Sequence, residues 1–318
     1  MKNWFVFVAI VVLIIGFLLE ARRQPIERPW GKQLSTYSQD DPYSVPFENS
    51  TEYYESGSGR NIIIVGGAGR NIADFNNVVK SLNVVGFKTV TTEIGADYPM
   101  SRAPSNIKYG TIEESSIQLM YVFDRLSSEQ KSSNFCLIGQ GYGTEVIRDT
   151  LPRLMEKGDS RLPSAVVLIS PNGAIQSESA IGFRSNHPRT RARYSRPDQE
   201  TFARMKKGNK EDYFYDINNM PDNWKTGFMR HQRGWTLDAL LTSKRLSWPD
   251  KIDAPILVIR GQHDPFFSTQ EVLSSLENQN INNVQVEILG NASRALQYEE
   301  PEKLYKILTE FLSAYCLG

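Results

Sequence analysis

Cysteine is nearly absent from this 318-residue chain, with only Cys136 and Cys316 present. So few thiols exclude a disulfide framework, and no Cys/His spacing suits a zinc site, so no metal is expected. Cys136, inside an apolar run, reads as a small buried hydrophobe. An excess of one charge is also missing: 36 Lys and Arg balance 36 Asp and Glu. That removes the electrostatic footprint a nucleic-acid partner would need. Internal repeats are absent, and histidine is scarce, occurring only as His187, His231 and His263. A complete dinucleotide fingerprint is lacking as well. Gly67-x-Gly69 is followed by Ile72 where close helix packing needs Gly or Ala, so no cofactor is expected.

What is present begins with an apolar N-terminus. Trp4 to Leu19 carries no charge, and as a helix it would span roughly 24 Å against a hydrocarbon core of about 30 Å. Residues 4–19 are therefore read as a single-pass transmembrane anchor, with Lys2, Arg22 and Arg23 reaching outward. A cleaved signal peptide competes with this, although Leu19-Glu20-Ala21 matches the small-residue cleavage pattern poorly. The membrane face stays open: Lys2 and the amino terminus oppose Arg22, Arg23, Arg28 and Lys32, and those four favour a cytoplasmic domain. Residues 20–45 are polar, with Pro25, Pro29 and Pro42, and read as a linker.

From residue 46 onward a globular domain is expected, consistent with 40% hydrophobic and 11% aromatic residues. Residues 46–58 suggest a leading hairpin. Apolar strands then alternate with helices: strands at Ile62–Val65, Phe87–Ile94, Phe135–Ile138, Val166–Ser170, Pro255–Arg260 and Val284–Leu289, and a closing helix over Glu302–Tyr315. Such alternation predicts a mostly parallel sheet with helices on both faces. Residues 172–248 interrupt it. They are polar and aromatic, too long for a plain loop, and read as an inserted cap over the sheet's C-terminal edge. Within the cap, Arg184, His187, Arg189, Arg191, Arg193 and Arg196 suit either anionic headgroups or a solvated loop. Trp224, Trp235 and Trp248 suit a ligand cavity or the cap's own small core. Asn49-Ser50-Thr51 and Asn291-Ala292-Ser293 are glycosylation sequons by pattern.

Three segments carry chemistry. Gly139-Gln140-Gly141-Tyr142-Gly143 joins a strand to a helix, the setting of the G-x-S-x-G nucleophile elbow. Pro255 to Pro265 presents Asp264 just after a strand. Ser293-Arg294 precedes Glu299 and Pro301. Together with Val65-Gly66-Gly67-Ala68-Gly69-Arg70, these segments resemble the α/β-hydrolase superfamily over residues 46–318. The resemblance implies an eight-stranded-type sheet with a helical cap. It places Gly66 at the histidine of the oxyanion turn, Gly141 at the nucleophile, Asp264 at the acid and Arg294 at the base.

The departures fall on the reacting positions. Gly141 has nothing to attack with, and arginine stays protonated at neutral pH and cannot serve as a base. Loss of both should leave only the roughly 10³–10⁴-fold acceleration that binding and oxyanion donors supply. No functional catalytic residue is therefore expected, and the chain reads as a non-hydrolytic pseudoenzyme. The alternative is an active hydrolase of esters, amides or similar small substrates, with Asp264 as base acting on water. Gly67, Ala68, Tyr142 and Arg294 are the candidate ligand-binding residues, through an anion nest at the elbow helix. The partner would be a small anion or another protein. Arg294 is also positioned to pair with Asp264, whereas His263 faces away from the missing base's role.

Overall fold

The computed structural model describes residues 32–35, 52–67, 72–93, 112–130, 135–156, 162–171, 213–221, 252–265, 272 and 283–317. Its strands are β1 (Lys32–Ser35), β2 (Glu52–Gly57), β3 (Arg60–Val65), β4 (Phe87–Glu93), β5 (Phe135–Gln140), β6 (Ala165–Ile169), β7 (Ile256–Gly261) and β8 (Val284–Leu289). They build one eight-stranded sheet in the order β1-β2-β4-β3-β5-β6-β7-β8. The β1–β2 and β2–β4 pairs are antiparallel, and every pair from β4 to β8 is parallel.

Period-two alternation sorts the strand residues between two apolar layers. On one face Ile63, Leu137, Val166 and Val258 pack with α2 (Ile112–Gln130) and α3 (Tyr142–Glu156). On the other, Ile62, Ile138, Val167 and Ile259 pack with α1 (Asn76–Val84) and α5 (Pro301–Cys316). Both faces are covered, so β3, β5, β6 and β7 are continuous apolar runs, buried along almost their whole length. Each fully buried Leu or Ile contributes about 1.5–3 kcal/mol relative to exposure. Truncating one, as in Leu137→Ala, costs about 2–5 kcal/mol with the cavity included. Pro301 opens α5 in the first turn, where its missing N–H breaks no helical bond. The short α4 (Leu296–Glu299) precedes it.

Three differences from the sequence reading stand out. Lys32–Ser35, inside the stretch read as linker, pairs in register with Glu52–Glu55, and the compact unit runs from Lys32 to Gly318. β2 pairs with β1 and β4, so among the described residues its partners lie outside residues 46–58. Most importantly, Cys136 is no simple buried hydrophobe. It forms a disulfide with Cys316, 180 positions away. Helix α5 carries its C-terminus across the face of β5, a proximity that sequence spacing does not encode. Among the described residues no helix is long and apolar enough to cross a membrane, and residues 4–19 lie outside them.

Candidate functional site

The site lies at the C-terminal ends of the parallel strands, where chain segments leave the sheet. Strand β5 ends at Gln140, and the chain reverses through Gly141 at φ +52° into α3. That left-handed backbone is free of strain for glycine and costs a side-chain-bearing residue about 1–2 kcal/mol. Gly143 has a different reason to be glycine: a Cβ there would stand 2.2 Å from the Val65 carbonyl oxygen, so it lets α3 cross β3 closely. The turn between β5 and α3 is built on glycine at both positions, and Gly141 presents no side chain there.

Arg294 takes up the adjoining space. A Cβ built on Gly141 would lie 3.7 Å from Arg294 Nη2 and 3.9 Å from Gly67 Cα. The guanidinium donates through Nη1 to both Asp264 oxygens, at 3.3 and 3.1 Å, and through Nη2 to the Ser170 carbonyl at 2.8 Å. Arg260, from β7, brings Nη2 within 3.5 Å of the same carboxylate. The Asp264 side chain is completely buried, and the two arginine side chains are 2% and 6% exposed. One carboxylate therefore sits between two guanidiniums. In so dry a setting, removing one member of an ion pair typically costs about 3–5 kcal/mol.

The backbone of Arg294 is held as firmly as its side chain. Its N–H donates to the Tyr213 carbonyl at 3.1 Å, and its carbonyl accepts from Ser170 Oγ at 3.3 Å and Gln140 Nε2 at 3.4 Å. Gln140 Nε2 also reaches Gln297 Oε1 at 3.0 Å. Ser170 is the one non-glycine residue at positive φ among those described, at 46°. Such a conformation costs about 1–3 kcal/mol and persists where the surroundings over-determine it. Here the Ser170 hydroxyl and carbonyl both bracket Arg294.

A second carboxylate fastens residues 213–216. Glu299 accepts from the backbone N–H groups of Ser293 at 2.7 Å, Asp216 at 3.1 Å and Tyr215. Burial pushes its pKa above the ordinary carboxylate range, although those three donors oppose the rise. Tyr215 also stacks on His263, ring centroids 3.9 Å apart, so that histidine packs against the cap segment. Phe214 and Met220 cluster with Ala295. Residues 213–220 thus lie directly over the Arg294 segment.

Glu145, in the first turn of α3, is buried with its carboxylate 3.2 Å from Arg148. Desolvation raises its pKa, with Arg148, Thr144 and Arg294 acting in the opposite direction.

Of the residues singled out from sequence, Gly67, Gly141, Asp264 and Arg294 come together here. Tyr142 heads α3, but its ring joins the core and its hydroxyl lies 3.0 Å from Ser115 Oγ, so it does not fill the site. Ala68, His187, His231, the cap arginines and Trp224, Trp235 and Trp248 lie outside the described residues. The sequence reading missed the site roles of Ser170, Arg260, Gln140 and Glu299. Only Arg260 carried a signal, a charge within an otherwise apolar strand. Among the described residues no cluster of metal-binding side chains occurs.

No family model matches the sequence, and no curated protein matches it. Solved structures do. The carboxylesterase CesB of Bacillus subtilis superposes with TM-score 0.61 at 20% identity, covering 92% of this chain and 93% of its own. An esterase of Exiguobacterium antarcticum gives 0.61 at 17%, covering 83% and 96%. A probable hydrolytic enzyme of Pseudomonas aeruginosa gives 0.63 at 14%, covering 90% and 96%. Identities this low speak to architecture alone. Strand order, elbow turn, the placement of Asp264 and Arg294, and these superpositions agree: the chain has the α/β-hydrolase fold.

Proposed function

We propose that this chain is a membrane-anchored, non-hydrolytic protein of the α/β-hydrolase fold that acts by binding. One observation carries the reading: a guanidinium stands in the base's place, locked between Asp264 and Ser170 and set against a glycine in the nucleophile's place. A permanent cation cannot accept a proton, and Gly141 offers no attacking atom. Hydrolysis through Asp264 acting on water is the second reading, and the esterase-like architecture is what favours it. Against it, both carboxylate oxygens already accept from guanidinium N–H groups. Those lone pairs are the ones a general base would use.

The binding function falls to a small carboxylate or phosphate at the N-terminus of α3, beside Gly67, Ala68, Tyr142 and Arg294, or to a protein partner at the same face. Helix N-termini favour anions, and the Arg294 guanidinium beside the Gly141 turn supports the first occupant. The anchor is assigned to residues 4–19, on their unbroken apolar character. A fluorophosphonate probe combined with an ester-hydrolysis assay tests the absence of hydrolysis: neither labelling nor turnover is expected. Turnover abolished by Asp264→Asn would establish the hydrolase reading instead. Thermal titration with acetate, succinate and inorganic phosphate tests the ligand class. Saturation at about 100 times Kd should stabilise by about 2.7 kcal/mol, and no shift would favour a protein partner.

A further inference from the structure

The chain's two cysteines bear on which side of a membrane the domain occupies. Cys136 is the second residue of β5, in register with Ile62 of β3 and Ala165 of β6. Cys316 is the last residue of α5. Both are fully buried, and their Cα atoms are 6.4 Å apart, inside the range a disulfide spans. Neither sulfur belongs to the Asp264–Arg294 site, so no chemistry there calls for a free thiol. The covalent loop closed by the pair contains Gly141, Asp264, Arg294 and the described cap segment.

We propose that Cys136 and Cys316 are oxidised in the living cell and that the domain matures on the non-cytosolic, oxidising side of its membrane. Cytosolic thiols are kept reduced, whereas stable structural disulfides belong to secreted, periplasmic or lumenal proteins. The oxidant is a thiol–disulfide oxidoreductase. One cysteine thiolate attacks its disulfide and forms a mixed disulfide. The second cysteine thiolate then attacks that bond, closing Cys136–Cys316 and releasing the oxidoreductase as a dithiol. Two protons and two electrons leave the chain in the process. With the anchor at residues 4–19, this places Lys2 on the cytosolic side and translocates Arg22, Arg23, Arg28 and Lys32, against the charge bias that favours a cytoplasmic domain. A cleaved leader would deliver the domain to the same side. Nothing in this inference depends on whether the site hydrolyses or binds.

The experiment uses the full-length chain in its native host. Cells are quenched in acid, free thiols are blocked with N-ethylmaleimide under denaturing conditions, and the protein is then reduced and treated with a maleimide–polyethylene glycol. A shift of two polymer units only after reduction is expected, together with digestion of the domain by protease added to the non-cytosolic face. Thiols blocked before reduction, or a domain protected from that protease, would overturn the proposal. The Cys136→Ala/Cys316→Ala variant should melt roughly 5–15 °C below the oxidised protein. The wild type unfolded in excess dithiothreitol should fall by a comparable amount. Should the variant not fold, the labelling result still decides.

Discussion

Arg294 Nη1 lies 3.1 Å from Asp264 Oδ2, while Nη2 of the same guanidinium lies 3.7 Å from where a Cβ on Gly141 would stand. One side chain thus spans the distance between Asp264 and Gly141. Its permanent charge makes the contact with Asp264 a fixed ion pair.

Restoring the reacting atoms should restore reactivity. Gly141→Ser fits sterically, at about 1–2 kcal/mol for the left-handed backbone, but sets a hydroxyl beside a cation. That single variant, and Arg294→His alone, should remain inactive. The double variant should hydrolyse p-nitrophenyl acetate at least about 10²-fold faster than either single, read as kcat/KM. A double variant that folds but matches the singles would show that oxyanion donors are absent too.

Breaking the buried pair should be costly and non-additive. Arg294→Met is expected to destabilise by about 3 kcal/mol in urea denaturation, because Asp264 loses the nearer of the two guanidiniums beside it. Adding Asp264→Asn should recover part of that loss, giving a coupling energy above about 1 kcal/mol in the double-mutant cycle.

Glu145 supplies a pH signature. Its folded-state pKa is raised by burial, so the native state holds a proton that the unfolded chain releases first. Its stabilising contribution is complete below the ordinary carboxylate pKa of about 4.3 and is lost as pH rises through the elevated folded value. Glu145→Gln should therefore gain stability relative to wild type as pH increases across that window. Parallel stability profiles from denaturant melts at several pH values would contradict the assignment.

Glu299 should govern the cap segment. Glu299→Ala removes one acceptor from three backbone donors, and loss of those charge-assisted bonds should cost about 2 kcal/mol locally. Amide exchange at Tyr215, Asp216 and Ser293 should accelerate by more than tenfold, while that of β5 and β6 stays unchanged.

Most of the fold was legible in the sequence because the central strands are buried on both faces and carry uninterrupted apolar runs. The turn at Gly141 and the position of Asp264 just after β7 were legible because turns punctuate those runs with glycine and proline. β1 was not, since four residues in a polar, proline-bearing stretch show no period-two pattern and gain their order by pairing with β2. Ser170 carried no local mark: at its positive φ it meets the Arg294 guanidinium and carbonyl, 124 positions away.

Sequence alone determined that position 141 is glycine and position 294 arginine, because residue identity fixes which atoms can attack and which can accept a proton. Tertiary structure decided where the arginine's charge goes. The order of β5, β6 and β7 brings Gly141, Ser170 and Asp264 to one edge, and the segment after β8 lays Arg294 across them. It also decided the fate of the two cysteines. Two positions 180 residues apart become neighbours only when α5 packs back on β5, and no local pattern encodes that contact.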